Sequence, residues 1–580
     1  MAIVWIRFTL RALNKPAEIF AGPKRPFLIA ILLVTLTFAL FAPAISYDFV
    51  NYDDDLYVYD NPVVQHGLSV SGLHYALTSY DAGTWAPVTW LSYELDSTLF
   101  GARASSYHAT NILLHVAAGL ILFFALQLML KSFWTSTVVA GIFLVHPLRT
   151  ESVVWIAERK DVLCALFWAL GLLAYWFYVK KPSLARWMLV FLCLLAGVMS
   201  KMIMVTFPFV LLLLDVWPLN RTNLDWPNLR ARAWPLLREK IPLFAVCGLV
   251  VFLTSRALHS VGTLNSVGAD ISTKLLRVPE NYVFYLGKIF WPAKLSILYP
   301  NEKVQTSAAL LAGLLLVVIT VLTVWQMRKR PWLLVGWLWF LGTLVPVIGF
   351  VTFGHFFVGD RYTYIPSIGL TLAVVVTLEH LLRRFLLARW AGATAVVALC
   401  ALATSADVPR WRNTFTLYDA ALRVGPHHVT YNNRGTAFLK VGDMEHAMAD
   451  FNAAIQMKSD YATALSNRGS LWTDLGNIEA AIKDCSEAIK CDPELADAWN
   501  NRGNAYNRTG EYAKALADYD QSIKLKPDKA IYYNNRAAAH FLLKQYVPAK
   551  ADLEKCSQLG GQPHPGLVHD LDEAMKQSNP

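Results

Sequence analysis

Long apolar runs dominate the first 404 residues of the chain, and short charged segments separate them. A helix needs about 20 apolar residues to cross a bilayer, because its backbone polar groups must bond within the segment. Segment 278–300 is predicted to be interfacial or re-entrant, because Lys288 and Pro292 interrupt its apolar run. Eleven other runs predict membrane-spanning helices, at 26–46, 107–130, 133–147, 162–179, 184–200, 202–217, 242–257, 306–326, 332–351, 365–382 and 388–404.

A second pattern, with a period of 34 residues, fills the end of the chain. The triplet Asn-Arg-Gly occurs at 433–435, 467–469 and 501–503, and it becomes Asn-Arg-Ala at 535–537. This periodicity resembles the tetratricopeptide repeat, in which helix pairs bury their apolar faces by stacking on their neighbours. The predicted repeats are 428–461, 462–495, 496–529 and 530–563, with a half-repeat helix at 414–424 and a capping helix at 566–577.

The two patterns together predict an all-α protein. A polytopic membrane helix bundle of about 11 spans occupies 1–404, and a linker with the half-repeat helix occupies 405–427. A tetratricopeptide-repeat α-solenoid follows at 428–580. The asparagine that begins each triplet is predicted to face the groove of the solenoid. These residues are either solvent-exposed polar side chains or a row of amides that holds an acceptor polypeptide: Asn433, Asn467, Asn501 and Asn535.

Charge changes at the same boundary. Residues 405–580 contain 20 Lys+Arg and 22 Asp+Glu, so 32 cations and 20 anions of the chain lie before them. With 55% hydrophobic and 16% charged residues, the chain is neither one soluble globule nor disordered, and nucleic-acid binding is excluded as the reason for its net charge of +10. A cytoplasmic N-terminus puts 20 of the 32 cations in cytoplasmic loops. We therefore expect an integral cell (inner) membrane protein with its repeats outside the cytoplasm, in a periplasm or equivalent lumen.

Ionisable residues of the membrane half gather in the loops that this orientation places outside. The loop after the first span carries aspartates at 48, 53, 54, 55 and 60, interleaved with aromatic residues. Packed carboxylates raise one another's pKa, which suits one of them to act as a general base. The sequence therefore favours catalysis over a solvated loop here.

Two further polar segments follow in loops on the same predicted side, HPLRTESVVWIAERKD at 146–161 and GHFFVGDRYTYIPSIG at 354–369. Arg361 in the last segment could clamp a phosphate or pair with Asp360. Charged groups at membrane depth are costly unless they face a cavity or one another. The two segments, together with His108 on the second span, predict a polar cavity lined by His146, Glu151, Arg159, Lys160, Arg361 and Tyr364. Lys201 could line the same cavity, although a lysine whose charged end extends to the membrane surface would explain it equally well.

The sequence contains no Gly-rich phosphate loop, dinucleotide fingerprint or metalloprotease motif. An enzyme that works outside the cytoplasm has to take its activated group from a lipid carrier in the bilayer. The carboxylate cluster could hold a divalent metal, but no ligand spacing demands one, and no metal ligand is predicted.

In combination, FVNYDDDLYVYDNPVV, SYHATNILLH, HPLRTESVVWIAERKD and DRYTYIP, joined to the repeats, resemble the transmembrane-and-tetratricopeptide-repeat (TMTC) proteins and their bacterial relatives. These are GT-C membrane glycosyltransferases, related to protein O-mannosyltransferases. The resemblance implies transfer of a sugar, mannose or another hexose, from a polyprenyl-phosphate carrier to Ser/Thr hydroxyls of extracytoplasmic proteins, with inversion. It places the catalytic paired aspartates on Asp53 and Asp54, and Asp55 leaves that register open by one residue.

The expected mechanism is a single displacement in which Asp53 or Asp54 deprotonates the acceptor hydroxyl. Arg361, helped by Arg159 or Lys160, neutralises the departing lipid phosphate. Glu151, His146 and His108 shape the sugar site, and Tyr364 and Lys201 complete the set of donor-binding candidates.

Three other functions predict different sequence features. A lipid-linked oligosaccharide ligase predicts a large late outer loop, whereas the loop 352–364 is short. A membrane-anchored repeat scaffold needs only one or two spans. A transporter predicts polar residues on both sides of the membrane and repeat symmetry among the spans.

Overall fold

The computed structural model describes residues 25–80, 85–260, 271–300, 304–349 and 358–578. Two ends of predicted segments, 350–351 of one span and 354–357 of the third polar segment, lie outside the described residues. Contacts divide the chain into two compact units, Met1–Ala420 and Ala421–Pro580. The described residues form helices and connecting turns and contain no β-strand.

The α-helices of the first unit, in chain order, are α1 Arg25–Phe41, α2 Pro62–His66, α3 Val70–Thr78, α4 Pro87–Phe100, α5 Ala104–Leu130, α6 Phe133–Val145, α7 Thr150–Val154, α8 Arg159–Lys180, α9 Leu184–Val198, α10 Phe207–Val216, α11 Trp226–Arg238, α12 Ile241–Ser260, α13 Ile271–Phe290, α14 Thr306–Gln326, α15 Pro331–Leu344, α16 Pro366–Leu381 and α17 Leu386–Asp407. Several begin with proline at the first position, where its missing N–H costs no hydrogen bond. Ser132 and Ser183 cap α6 and α9 by accepting a backbone N–H.

Each of the eleven predicted spans coincides with an apolar helical segment. Within the described ranges, five helices are long and apolar enough to cross a membrane, and α6 and α7 form a sixth candidate that bends by 57°. Five shorter apolar helices correspond to the other predictions. Segment 278–300 lies on α13 and the loop after it, and it is not among these apolar helices. The crossings and their orientation stay predictions.

Helices α14 and α17 expose most of their apolar side chains. Only Ala309, Ala312 and Thr323 of α14 are buried. On α17 only Val397 and Thr404 are buried. Apolar surfaces of this extent are costly in water, so the two helices fit an environment of lipid chains.

The polar segments predicted from sequence lie where apolar helices are interrupted. Short turns of 3₁₀- or π-helix cover Asp55–Tyr59, Pro147–Arg149, Ile156–Glu158 and Asp360–Thr363. Such breaks in regular helix often accompany functional sites. They also turn backbone N–H groups toward the neighbouring loops, which the site uses.

The second unit and the helix before it have the predicted repeat structure. The half-repeat helix is α18, Thr414–Val424, and the capping helix is α27, Pro565–Ser578. The four helix pairs between them are α19 His428–Lys440 with α20 Met444–Met457, α21 Ala462–Asp474 with α22 Ile478–Cys491, α23 Ala496–Arg508 with α24 Tyr512–Leu525, and α25 Ala530–Leu542 with α26 Tyr546–Gln558.

Close helix contact explains the glycine of the repeated triplet. A Cβ atom added at Gly503 would lie 2.7 Å from the ring of Tyr519 on the paired helix. At Gly469 it would lie 2.5 Å from Sγ of Cys485. Both separations are shorter than van der Waals contact, so the helices of these repeats can approach only at glycine.

Candidate active site

Asp54 ties the loop after α1 to the turn before α8. Its Oδ2 accepts the backbone N–H of Val50 at 2.9 Å, and its Oδ1 accepts the N–H of Ala157 at 2.9 Å. The side chain is buried. Burial raises the pKa of Asp54 to about 8, although the two N–H donors oppose that shift. Both carboxyl oxygens are therefore used to hold the loop.

Asp53 lies beside it and is partly exposed. Its φ of 68° places it in the left-handed region, which aspartate tolerates better than most residues. Burial raises the pKa of its carboxyl, while the charges of Lys160 and Arg361 lower it. Asp53 is thus the member of the pair whose carboxyl remains available to a ligand and shares the electrostatic environment of two cations.

Three cations converge on the buried carboxylate of Glu158. Lys160 Nζ lies 3.3 Å from Oε1, Lys201 Nζ lies 3.0 Å from Oε2, and Arg361 Nε lies 3.2 Å from Oε1. Their side chains are 13%, 13% and 17% exposed, so the cluster is not completely closed off from the surface. Asp161 holds Lys201 as well, at 2.7 Å. We call Lys160, Lys201 and Arg361 with Glu158 the cation cluster.

Arg361 is the most firmly held of the three. Its Nη1 lies 2.6 Å from Oε1 of Glu151, whose Oε2 accepts the Arg361 backbone N–H at 3.0 Å. The guanidinium packs over the rings of Trp155 and Tyr362, with its carbon 5.5 and 4.8 Å from their centres. Arg361 therefore pairs with Glu151 and Glu158. The alternative pairing with Asp360 is wrong, because Asp360 accepts from Tyr299 and Ser296 instead.

Aromatic contacts join the aspartate loop to this cluster. Trp155 donates its indole N–H to the carbonyl of Tyr52 at 2.9 Å. Lys160 Nζ lies 5.0 Å from the centre of the Tyr57 ring. Trp155 also supports Arg361, so one residue contacts both the aspartate loop and the phosphate-binding candidate.

Arg159 belongs to a different environment from its neighbour Lys160. It is fully buried and forms an ion pair of 2.6 Å with Asp96. It also donates to the Asn111 side chain at 2.8 Å and to the Ser92 carbonyl at 3.0 Å. Of the two cations that the sequence offered beside Arg361, the structure brings Lys160 into the cluster and points Arg159 into the helix bundle.

Three further site predictions lie in the packed interior. His146 accepts the Leu148 N–H and contacts the Ile289 carbonyl through Nε2 at 3.0 Å, which fixes the turn after α6. Tyr364 is buried, and its hydroxyl contacts His115 on α5. His108 is buried on the same helix. None of these three has a hydrogen bond to the cation cluster among the described residues.

Glu158 and Asp161 were given no role in the predicted site, although both are in the second polar segment. Their spacing of three residues on a helix start, with two cations between them, was the available signal. Among the described residues, no group of three or more His, Cys, Asp or Glu side chains is arranged to hold a metal ion.

The repeated asparagines link consecutive repeats. Asn467 Nδ2 donates to Asn432 Oδ1 at 3.0 Å, Asn501 donates to Ser466 Oγ at 3.0 Å, and Asn535 donates to Asn500 Oδ1 at 2.9 Å. Asn433 accepts from Asn432 at 3.3 Å.

Asn501 and Asn535 also line a polar cavity of about 190 Å³, together with Asn504, Asn507 and Arg508. The asparagine ladder thus couples the repeats and still faces a cleft.

The arginine of each triplet pairs with an aspartate that also recurs every 34 residues. Each arginine binds both carboxylate oxygens through Nε and Nη2 at 2.6–2.9 Å, and the four pairs are Arg434–Asp450, Arg468–Asp484, Arg502–Asp518 and Arg536–Asp552. The aspartates are buried. These residues hold the helix pairs together.

Family models match the repeats, and individual known proteins match longer parts of the chain. Family models described as tetratricopeptide repeat match residues 429–461 and 496–529, and one described as TPR repeat matches 469–510. The chain is similar to protein O-mannosyl-transferases. Tmtc3 of Drosophila melanogaster is 22% identical over 452 residues, covering 65% of this chain and 49% of that protein. A Caenorhabditis elegans protein O-mannosyl-transferase is 24% identical, covering 74% and 63%.

Shorter matches are closer in sequence. Protein O-mannosyl-transferase TMTC2 of Mus musculus is 39% identical over 94 residues, covering 16% of this chain and 11% of that protein. The chain therefore matches less than two thirds of the length of these relatives. Among solved structures, MamA is similar at 22% identity over 25% of this chain and 80% of its own, with a TM-score of 0.22.

Proposed function

We propose that this protein is a membrane glycosyltransferase that transfers a sugar from a polyprenyl-phosphate carrier to Ser/Thr hydroxyls of proteins outside the cytoplasm. The observation that carries the proposal is the convergence of Lys160, Lys201 and Arg361 on one carboxylate, within electrostatic reach of the partly exposed Asp53. Several partly accessible cations close together suit a phosphate leaving group. The curated relatives named protein O-mannosyl-transferases support mannose as the sugar.

The proposed reaction is one displacement at the anomeric carbon. The acceptor oxygen forms the new bond to that carbon while the bond from carbon to the phosphate oxygen breaks, so the configuration inverts. Asp53 takes the hydroxyl proton, and the electron pair of the broken bond leaves with the lipid phosphate. Arg361 and Lys160 stabilise the negative charge that develops there. Asp54 acts as a positioning residue, because both of its oxygens hold backbone N–H groups.

The remaining parts of the chain have assigned tasks in this proposal. In this proposal the apolar helices lie in the cell membrane, and the cation cluster lies on its outer side. The tetratricopeptide repeats support protein binding, and their groove holds the acceptor polypeptide through Asn501 and Asn535. The lipid carrier is the only donor-side partner that the proposal needs, and no metal is assigned a step.

The test uses the full-length protein in membranes supplied with polyprenyl-phosphate mannose and an acceptor protein. Arg361→Gln is expected to abolish transfer, and Asp60→Asn, an exposed aspartate of the same loop, serves as the matched control. Mass spectrometry of the acceptor reads the number of Ser/Thr-linked hexoses. Transfer by Arg361→Gln at the wild-type rate would reject the proposed site, and absence of transfer by the wild type with every lipid-linked hexose would favour a repeat scaffold.

A further inference from the structure

A second cavity lies apart from the cation cluster. It is an apolar groove of about 330 Å³, which is close to the lower limit of about 300 Å³ for small-ligand pockets. Its walls are α6, α16 and α17, represented by Ile142, Val375 and Val396. The lining on α16 runs from Ser367 to Leu378, which is about 17 Å at the rise of an α-helix. The groove is therefore long and narrow, like an extended hydrocarbon chain.

One end of the groove is formed by Arg149, whose side chain is 1% exposed. Its Nη1 donates to the Tyr364 carbonyl at 2.9 Å, and its Nη2 donates to Ser367 Oγ at 2.7 Å. Both partners are neutral, and Nε has no hydrogen-bond partner among the described residues. No ion pair joins Arg149 to a carboxylate in the described part of the chain. A buried guanidinium without a counter-ion is costly, so the site lacks one negative charge.

Arg389, at the other end of the groove, provides an internal comparison. It lines the same cavity and lies on the ring of Trp134, but it forms an ion pair of 3.4 Å with Glu379. The two ends of the groove thus differ in charge compensation. An anionic ligand would compensate the charge at the Arg149 end, whereas Glu379 already pairs with the arginine at the other end.

The Arg149 end is also distinct from the proposed donor site. Lys160, Lys201 and Arg361 all have carboxylate partners, and none of the three lines the groove. We propose that the groove binds an anionic phospholipid, with one acyl chain along α16 and the phosphate at the guanidinium of Arg149. This inference rests on the proposed location in a membrane, and it assigns the lipid a place separate from the polyprenyl-phosphate donor.

The test purifies the full chain in mild detergent and reconstitutes it in nanodiscs of equal phosphatidylglycerol and phosphatidylcholine. Native mass spectrometry then measures which lipid stays bound. One compensated charge predicts an enrichment of phosphatidylglycerol of about fivefold, lost in Arg149→Gln and kept in the control Arg389→Gln. Equal retention of both lipids by the wild type would overturn the proposal, as would enrichment of added polyprenyl phosphate over phosphatidylglycerol at this groove.

A second variant covers the case in which Arg149→Gln does not fold. Ala393 lines the groove on α17 and is only partly buried, so Ala393→Phe fills the groove without touching Arg149. It is expected to reduce the retained phosphatidylglycerol, and unchanged retention would place the lipid elsewhere. Sugar transfer by the wild type in nanodiscs of phosphatidylcholine alone separates the two proposals, because it tests the transferase without the anionic lipid.

Discussion

Replacing the two neighbouring aspartates one at a time separates the base from the residue that holds it. Asp54 accepts two backbone N–H groups, from Val50 and Ala157, with its two oxygens. Asparagine keeps one acceptor oxygen, so Asp54→Asn turns an amide NH₂ toward one of these donors. Leaving one buried donor unpaired costs about 1–3 kcal/mol. Asp54→Asn should therefore lower the thermal unfolding temperature by several degrees.

Asp53→Asn should behave in the opposite way. Asparagine tolerates the left-handed backbone at φ 68° as aspartate does, and position 53 is partly exposed. Stability should stay within about 0.5 kcal/mol of wild type. Loss of a general base lowers turnover by about 10²–10⁴-fold. The expected pair of results is a stable, inactive Asp53→Asn and a destabilised Asp54→Asn that keeps measurable transfer.

The assay combines dye-monitored unfolding in detergent with hexose transfer from polyprenyl-phosphate mannose in membranes. Asp55→Asn belongs in the series, because the sequence left the register of the aspartates open. If Asp53→Asn transfers sugar at the wild-type rate while a stable Asp54→Asn or Asp55→Asn does not, the assignment of the base from geometry is refuted.

Three further changes test buried carboxylates. Arg468→Ala leaves the buried carboxylate of Asp484 without its bidentate partner and should cost about 1–3 kcal/mol in urea unfolding. The control Lys490→Ala removes a largely exposed pair and should match wild type, so equal losses of stability in the two variants would contradict this expectation. Glu158→Gln removes the carboxylate shared by three cations and should cost about 3–5 kcal/mol, so an unchanged melting temperature would be the contrary result. Burial raises the pKa of Asp360 from 3.8 to about 7. The stabilisation that the protonated Asp360 contributes is therefore complete below the unfolded-state pKa and is lost as the pH rises through the folded-state pKa. Between about pH 5 and about pH 8, the melting temperature should fall less in Asp360→Asn than in the wild type. Parallel curves of melting temperature against pH for the two proteins would refute this.

The repeat and the apolar helices could be predicted because their signals are local. A period of 34 residues fixes where each helix pair begins, and the half-repeat helix at Thr414–Val424 has the predicted bounds. Apolar length predicts helices in the same way. Segment 278–300 was harder to predict from apolar length, because the helix α13 begins at Ile271, in a stretch with several charged residues.

The candidate site could be predicted only in part. Arg159 and Lys160 are neighbours, and one residue along a helix turns a side chain by about 100°. Sequence alone could not tell that Lys160 pairs with Glu158 in the cation cluster while Arg159 pairs with Asp96. The cation cluster around Glu158 depends on contacts between α8, the turn before α10 and the turn before α16. No local sequence pattern encodes these contacts.

The charge balance of the cation cluster constrains how a donor can bind there. Lys160, Lys201 and Arg361 are already matched by Glu151, Glu158 and Asp161. A lipid phosphate added to this neutral set would gain little net attraction unless a cation exchanged its carboxylate for the phosphate.

Lys160 is the best suited to such an exchange. Its distance of 3.3 Å to Glu158 is longer than the 2.6 Å from Arg361 to Glu151, and it makes no second ion pair with the described residues. In the proposed reaction, Lys160 therefore moves to the phosphate when the donor binds. Arg361 keeps its pair with Glu151 beside the phosphate, so Lys160→Gln should raise the donor KM and also lower kcat, because Lys160 stabilises the charge that develops in the transition state.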